Sequence, residues 1–174
     1  LGTLGPIALA PENRYVQRRL LAGSGVGQSW LAFDQVRNVQ VCIKRLRDGV
    51  DMRSIEHERQ AIAPLRHPHV AAWLDVFEES EQFYLVTDLI EARTLEAVLA
   101  ACAGAGPLPE ALSVRIVRQI LAALQYAHRQ GILHGEIGPS NILLPFRDGL
   151  PHAIVNFGGI ARRSTLSNAP PSRP

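Results

Sequence analysis

Apolar and polar residues alternate along much of the first half of the chain, a pattern typical of half-buried β-strands. Runs of this kind predict strands at Tyr15–Ala22, Ser29–Phe33, Val39–Leu46, Trp73–Phe77 and Gln82–Thr87. Residues 23–27 read Gly-Ser-Gly-Val-Gly, so we expect the first two strands to form a hairpin around a glycine-rich turn. The first half of the chain therefore predicts an antiparallel sheet.

Two other segments repeat apolar residues at helical spacing. One face of the shorter segment consists of Ile55, Glu58, Ile62 and Leu65, and Pro64 ends or kinks this helix. The second segment, residues 94–130, predicts mainly helical structure, including a long amphipathic helix that follows Pro109 and stops at Gly131. Strands followed by helices favour an α+β fold.

Lys44 and Glu58 both lie on predicted apolar faces. In the third strand, Val41 and Ile43 share one face, while Cys42 and Lys44 share the other. An ammonium group among apolar neighbours is costly unless a carboxylate pairs with it, and Glu58 could provide one. The spacing alone is equally consistent with a Lys44 side chain that extends to water and a Glu58 at the edge of its stripe.

Composition narrows the class of protein. The 174 residues are 47% hydrophobic, and the formal net charge of +2 gives no indication of a nucleic-acid partner. Cys42 and Cys102 do not form a metal-binding or disulfide pattern. We find no segment long and apolar enough to cross a membrane and no signal peptide, so we expect a cytoplasmic location. Because the first residue is Leu1, we expect a fragment or a processed chain.

The two ends of the chain differ in composition from the rest. Residues 1–12 are rich in Gly, Pro and Ala and are expected to form a leader. Residues 164–174 combine Ser, Asn and Pro, which cannot build a packed core, so we expect a disordered tail.

Several ordered motifs together resemble the protein kinase family, most closely the bacterial Ser/Thr type. The motifs are the glycine-rich turn, Val41-Cys42-Ile43-Lys44, Glu58, His67-Pro68-His69-Val70, Phe83-Tyr84-Leu85-Val86-Thr87, His134 to Leu143 and Asn156-Phe157-Gly158. The resemblance implies a five-stranded antiparallel N-lobe sheet with one αC helix over residues 13–88. It also implies a partial, mainly helical C-lobe over residues 89–163, without the Ala-Pro-Glu motif and the helices that follow it in the family.

The resemblance also assigns functional residues. Lys44 corresponds to the lysine that pairs the phosphates of ATP, and Glu58 to the helix glutamate that orients it, which favours the ion pair. The expected nucleotide-binding residues are Leu21, Gly23, Gly25, Gly27, Ser29, Cys42, Lys44, Thr87, Asp88 and Leu89. In the family register only Gly27 of the three loop glycines is kept, and Ser29 replaces the valine that usually covers the adenine.

The predicted catalytic loop departs from the family pattern His-Arg-Asp-Leu-Lys-Pro-x-Asn. Glu136 stands at the position of the catalytic aspartate, and the extra methylene displaces the carboxylate by on the order of 1 Å, which can cost about 10²-fold in rate. Gly138 replaces the lysine that steadies the transferred phosphate, and Gly135 replaces the arginine used in activation-loop control. Asn141 is kept.

The predicted metal site is also altered. Asn156 occupies the position of the Asp-Phe-Gly aspartate, so a neutral amide replaces an anionic magnesium ligand. Aligning the segment on Ile160-Ala161-Arg162 instead does not restore an aspartate. Asn141 and Asn156 are therefore the candidate metal positions, and Mg²⁺ binding is doubtful.

These changes favour a pseudokinase, impaired or inactive as an enzyme, with weak ATP binding and a regulatory or scaffolding role toward a protein partner or a flanking domain. The first alternative is an active Ser/Thr protein kinase. The second is a small-molecule phosphotransferase, because His134-Gly135-Glu136 with Asn141 looks like the His-Gly-Asp…Asn loop of aminoglycoside-type enzymes. A non-functional fragment is the third.

Overall fold

The structure is a computed structural model that describes residues 8–9, 14–22, 28–46, 48, 52–104, 106–157 and 162–163. The glycine-rich turn at residues 23–27 and the predicted tail at residues 164–174 lie outside these ranges. Most of the predicted leader lies outside them as well. Its described part, Ala8–Leu9, forms a short strand.

The first lobe is an antiparallel sheet with one helix. Its strands are β1 (Ala8–Leu9), β2 (Tyr15–Ala22), β3 (Ser29–Asp34), β4 (Val39–Arg45), β5 (Trp73–Glu79) and β6 (Gln82–Asp88), and its helix is α1 (Met52–Ile62). The order across the sheet is β1-β2-β3-β4-β6-β5. The five predicted strands are thus confirmed within a few residues, and β1 adds a two-residue edge strand.

Among the described residues, the second lobe contains two α-helices, a 3-10 helix at Pro139–Asn141 and several short strands. Its elements are β7 (Arg93–Thr94), α2 (Leu95–Cys102), α3 (Glu110–Arg129), β8 (Ile132–Leu133), β9 (Ile142–Leu144), β10 (Phe146–Arg147), β11 (Leu150–Pro151), β12 (Ile154–Val155) and β13 (Arg162–Arg163). The Thr94 side chain caps α2 by accepting the Ala97 N–H at 3.1 Å. Gly131 has a positive φ of 72° just after α3, as predicted for a helix stop.

Two apolar clusters hold the fold together. The larger one joins the lobes and includes Ile62 and Leu65 from the first lobe with Ile116 and Phe157 from the second. The smaller one lies within the first lobe and stacks Tyr15 on Phe77 and Phe77 on Tyr84. Because the larger cluster includes residues of both lobes, it holds the lobes together.

The structure therefore confirms the predicted α+β class and the antiparallel N-lobe sheet. The predicted helical segment 94–130 is interrupted, because α2 ends at Cys102 and α3 starts at Glu110. Within the described ranges, no helix is long and apolar enough to span a membrane.

Candidate functional site

A cleft of about 800 Å³ lies between the sheet and the second lobe. Its wall contains the described residues of the predicted nucleotide site, namely Leu21, Ser29, Cys42, Lys44, Thr87, Asp88 and Leu89, together with Asn141 and Asn156. Residues far apart in sequence thus meet on one surface. Gly23, Gly25 and Gly27 lie outside the described residues.

The roof of the cleft is one face of the sheet. Strand register places Ser29 opposite Lys44, and Cys42 opposite both Leu31 and Thr87. Burial raises the pKa of the Cys42 thiol, although hydrogen bonds with Thr87 and Ser29 and the charge of Lys44 oppose this effect. Cys42 is therefore a neutral packing residue at neutral pH and not an activated nucleophile.

The back edge of the cleft is the chain segment that leaves β6. The Asp88 N–H donates to the Ala72 carbonyl at 3.2 Å, which fixes the end of the strand. The Thr87 hydroxyl donates to the Asp88 carbonyl at 3.3 Å. Residues 89–92 then have no regular secondary structure and line the opening. Backbone polar groups in such a segment are well suited to binding the edge of a planar base.

The floor is organised by a buried histidine. His134 is 4% exposed, and its ring packs against Phe157 with centroids 4.7 Å apart. Its Nδ1 accepts the Glu136 N–H at 3.3 Å, and its Nε2 faces the Asn156 carbonyl at 3.1 Å. Because an N–H only donates and a carbonyl only accepts, the neutral ring carries its proton on Nε2.

This arrangement gives His134 a structural role. Burial lowers the pKa of His134, with the Asn156 hydrogen bond and the Glu136 charge opposing the effect. A second ring proton would also displace the Glu136 N–H from Nδ1. His134 therefore holds the loop and the Asn156 segment together, as expected of a core-packing residue, and is poorly placed to act as a base.

The candidate catalytic and metal residues come together on the same floor. The Asn141 side-chain amide donates to the Glu136 carbonyl at 2.8 Å, and the Asn156 N–H donates to the Asn141 carbonyl at 2.9 Å. Glu136 is exposed on the loop and is not part of the cleft wall. The described residues contain no group of three or more His, Cys, Asp or Glu side chains that could hold a metal ion.

The predicted Lys44–Glu58 ion pair is not formed in this structure. The charged contacts within 4.0 Å among the described residues do not join these two side chains. Burial raises the pKa of Glu58 to about 7. Helix α1 packs chiefly against β5, and β6 lies between β5 and β4 in the sheet.

Sequence reasoning missed part of the cleft wall. Leu31 and Leu143 line it, and each lies two residues beyond a predicted site residue on the same strand face or segment, after Ser29 and Asn141 respectively. The two-residue period of β3 could have identified Leu31 from Ser29. No strand period links Leu143 to Asn141, because Asn141 ends a 3-10 helix and β9 begins only after it. Ala71 also lines the cleft. It lies in the connection before β5, where no periodic pattern indicates which way a side chain points.

Comparison with known proteins agrees with this architecture. A profile of the protein kinase domain matches residues 15–169. The chain is 33% identical over 152 residues to serine/threonine-protein kinase PrkC of Bacillus subtilis, a match that covers 84% of this chain and 23% of PrkC. It is also 33% identical over 156 residues to serine/threonine-protein kinase PknD of Mycobacterium tuberculosis, covering 87% of this chain and 23% of PknD.

A solved structure shows the same fold. The chain superimposes on the crystal structure of the Mycobacterium tuberculosis PknI kinase domain with a TM-score of 0.74 at 25% identity, over 93% of this chain and 64% of that one. The chain spans about a quarter of the length of the curated relatives it matches. With its two lobes, its interlobe cleft and these matches, the chain belongs to the protein kinase domain family.

Proposed function

We propose that this chain is a pseudokinase domain: it binds adenine nucleotide weakly and with little dependence on Mg²⁺, does not transfer phosphate efficiently, and regulates or scaffolds a partner or a flanking domain. The observation that carries the proposal is the chemistry of the cleft floor. Glu136, Gly138 and Asn156 stand where the family has its base, its phosphate-steadying lysine and its metal ligand.

The cleft fits a nucleotide in size and in polarity. Its volume of about 800 Å³ is within the usual range for small-molecule and cofactor sites, roughly 300–1,000 Å³. Leu31, Cys42 and Leu143 offer apolar surface to a base, and the segment after Asp88 offers backbone polar groups. Lys44 provides a cation for phosphate on the same wall. Bound ATP would supply the γ-phosphoryl group that an active kinase transfers.

The same wall fits Mg²⁺ poorly. Asn141 and Asn156 offer neutral amide oxygens, whereas hard divalent cations are bound largely by carboxylates. Part of the Asn141 amide is already engaged with the Glu136 carbonyl. We therefore expect nucleotide affinity to depend on Lys44 and the segment after Asp88, and to change little when Mg²⁺ is removed.

The residues that would accept the proton of the substrate hydroxyl are also altered or unavailable. Glu136 keeps a carboxylate but places it one methylene beyond the position of the aspartate, and His134 is buried in its neutral form. Gly138 provides no cation for the transferred group. A Cβ added at Gly138 would meet nothing within 4 Å, so a lysine can be reintroduced there without a clash at that atom.

The runner-up is an active Ser/Thr protein kinase. The family match and the presence of Lys44 and Asn141 favour it. The reported relatives are Ser/Thr protein kinases, which favours either protein-kinase type over a small-molecule phosphotransferase. The longer relatives support a role exercised through flanking sequence.

Thermal shift measurements and radiolabel transfer test the proposal together. ATP should raise the Tm of the chain equally in Mg²⁺ and in EDTA, and Lys44→Ala should reduce that rise. Asn156→Asp should make the shift Mg²⁺-dependent, whereas Gln40→Glu, the same amide-to-acid change at an exposed β4 position, should not.

Labelled γ-phosphate should not appear above background on a generic protein substrate or on the chain itself. Glu136→Asp alone should not restore it, because residues that act as a unit respond non-additively. We expect the triple change Glu136→Asp, Gly138→Lys and Asn156→Asp to recover activity only when the remaining C-lobe is supplied. Clear turnover by the unmodified chain, abolished by Lys44→Ala, would refute the pseudokinase proposal and establish the enzyme.

A further inference from the structure

Three histidines meet at the junction of the lobes, outside the nucleotide cleft. His67 and His69 lie in the connection between α1 and β5, and His152 lies between β11 and β12 in the second lobe. The ring centroids of His69 and His152 are 4.4 Å apart, and those of His67 and His69 are 5.5 Å apart. We call these three residues the histidine seam.

Hydrogen bonds hold the seam across the lobes. His69 Nδ1 lies 2.8 Å from the Ala153 carbonyl, so it donates, and His152 Nε2 likewise donates to the Pro68 carbonyl at 3.1 Å. His67 Nδ1 accepts the His69 N–H at 3.1 Å, which requires that nitrogen to be unprotonated. Protonation of His67 therefore breaks a bond, and protonation of His69 and His152 places two cations side by side.

Among the described residues, the charged groups that act on the seam are basic. From α3, Tyr126 stacks on His67 at 5.1 Å, and Arg115 donates to the Pro151 carbonyl at 3.2 Å. Arg66 lies next to His67, and its N–H donates to the Tyr126 hydroxyl at 3.1 Å. The charged groups that act on His69 are His152, His67 and Arg115, all of them basic.

The seam is connected to the cleft through backbone hydrogen bonds. The Val155 N–H donates to the His69 carbonyl at 2.8 Å, and the Ala71 N–H donates to the Val155 carbonyl at 2.9 Å. Ala71 and Asn156, the neighbour of Val155, both line the cleft. A shift of His69 relative to His152 would therefore move residues that line the cleft, because Ala71 lies two residues after His69 and Asn156 is the neighbour of Val155.

We propose that the histidine seam is a pH-sensitive clamp: with neutral rings it locks the connection between α1 and β5 onto the second lobe, and protonation loosens that contact and the cleft wall next to it. The inference does not depend on nucleotide binding or catalysis. It assigns this domain a response to acidification below about pH 6.5, the ordinary range of histidine.

The sign of the effect follows from the burial of the rings. Burial lowers the pKa of His67, and burial together with its basic neighbours lowers that of His69, against the Ala153 hydrogen bond. The unfolded chain therefore binds more protons than the folded one as the pH falls through about 6.5. The stability that the neutral rings contribute is fully present above this pH and is lost below it. For each unit by which the pKa in the folded chain lies below that in the unfolded chain, the unfolding equilibrium constant rises by up to tenfold.

The test compares unfolding at pH 7.5 and pH 5 for the full chain and for His69→Asn/His152→Gln. An asparagine amide nitrogen replaces Nδ1, and a glutamine amide nitrogen replaces Nε2, so both interlobe hydrogen bonds can persist without a titrating ring. We expect the double variant to match the parent at pH 7.5 and to lose less stability at pH 5. His128→Gln, on the exposed surface of α3, is the matched control and should keep the parental pH dependence.

Two further measurements keep the proposal falsifiable even if the double variant does not fold. Exchange protection of the Ala71 and Val155 amides in the parent chain should fall at pH 5 more than that of the β3–β4 amides. NMR titration should find that His69 protonates below the ordinary histidine value of about pH 6.5. An identical pH slope in parent and double variant, or a His69 that protonates at or above about pH 6.5, would overturn the clamp.

Discussion

Replacing Glu58 by glutamine distinguishes an arrangement with a Lys44–Glu58 ion pair from one without it. The substitution should lower the stability of the folded chain if the pair forms and raise it if the pair does not form. In the structure Glu58 is half-buried on α1 and makes no charged contact with Lys44 within 4.0 Å. Burial raises its pKa from an ordinary 4.5 to about 7. Folding therefore takes up a proton at this carboxyl between these two values, and the group destabilises the folded chain increasingly as the pH rises through that window.

The size of the effect follows from the pKa. Each pKa unit is worth about 1.4 kcal/mol, so the full difference would correspond to about 3 kcal/mol at pH 8. Because the side chain keeps part of its solvent contact, we discount this to about 1–2 kcal/mol. For a chain of this length, that should raise the Tm of Glu58→Gln by roughly 2–8 °C at pH 8. At pH 4.5, where the carboxyl is protonated, the difference should vanish.

Thermal unfolding of the parent chain and of Glu58→Gln at both pH values measures the change in Tm, and denaturant unfolding measures the change in free energy of unfolding. Glu78→Gln, at an exposed site on β5, is the control and should change the Tm little at either pH. A double-mutant cycle with Lys44→Met should give a coupling energy near zero. Loss of stability in Glu58→Gln at pH 8, with a coupling above about 1 kcal/mol, would show that the ion pair forms in solution and would refute the arrangement described above.

Two further predictions concern the stability of the first lobe. Arg14 forms two hydrogen bonds with the fully buried carboxylate of Asp34, whereas the exposed Arg37 lies 3.6 Å from that carboxylate. In denaturant unfolding, Arg14→Ala should therefore cost about 3–5 kcal/mol and Arg37→Ala less than about 1 kcal/mol. Similar losses of stability in the two variants would contradict this prediction. Ser80 and Glu81 both have positive φ in the tight β5–β6 turn, a conformation that asparagine and glycine adopt more easily. The double change Ser80→Asn/Glu81→Gly should therefore stabilise the chain by about 1 kcal/mol. A lower Tm of this variant would contradict a strained turn.

Much of the cleft could be predicted from local patterns. Strand alternation placed Cys42 and Lys44 on one face, and the structure has both on the cleft roof with Thr87 opposite Cys42. The motif order placed Asn141 and Asn156 in one region, and a backbone hydrogen bond joins them. These inferences succeeded because the period of a strand and the order of motifs are properties of the chain itself.

Local sequence patterns could not determine whether Lys44 and Glu58 form an ion pair. Each residue lies on the expected element, but the distance between two side chains depends on how α1 packs on the sheet. That packing is decided by the apolar cluster that joins Ile62 to Leu85, Ile116 and Phe157, residues from distant parts of the chain. A helical period gives the face that is buried and leaves open which strand it meets.

The sequence by itself thus determined the strands, the long helix, the kinase motifs and the substitutions at Glu136, Gly138 and Asn156, because these depend on residue identity and short-range spacing. Only the tertiary structure decided that His67 and His69 meet His152, whose side chain bonds to a carbonyl 84 residues away. Contacts of this kind arise when a shared core brings separate loops together, and no local period along the chain encodes them.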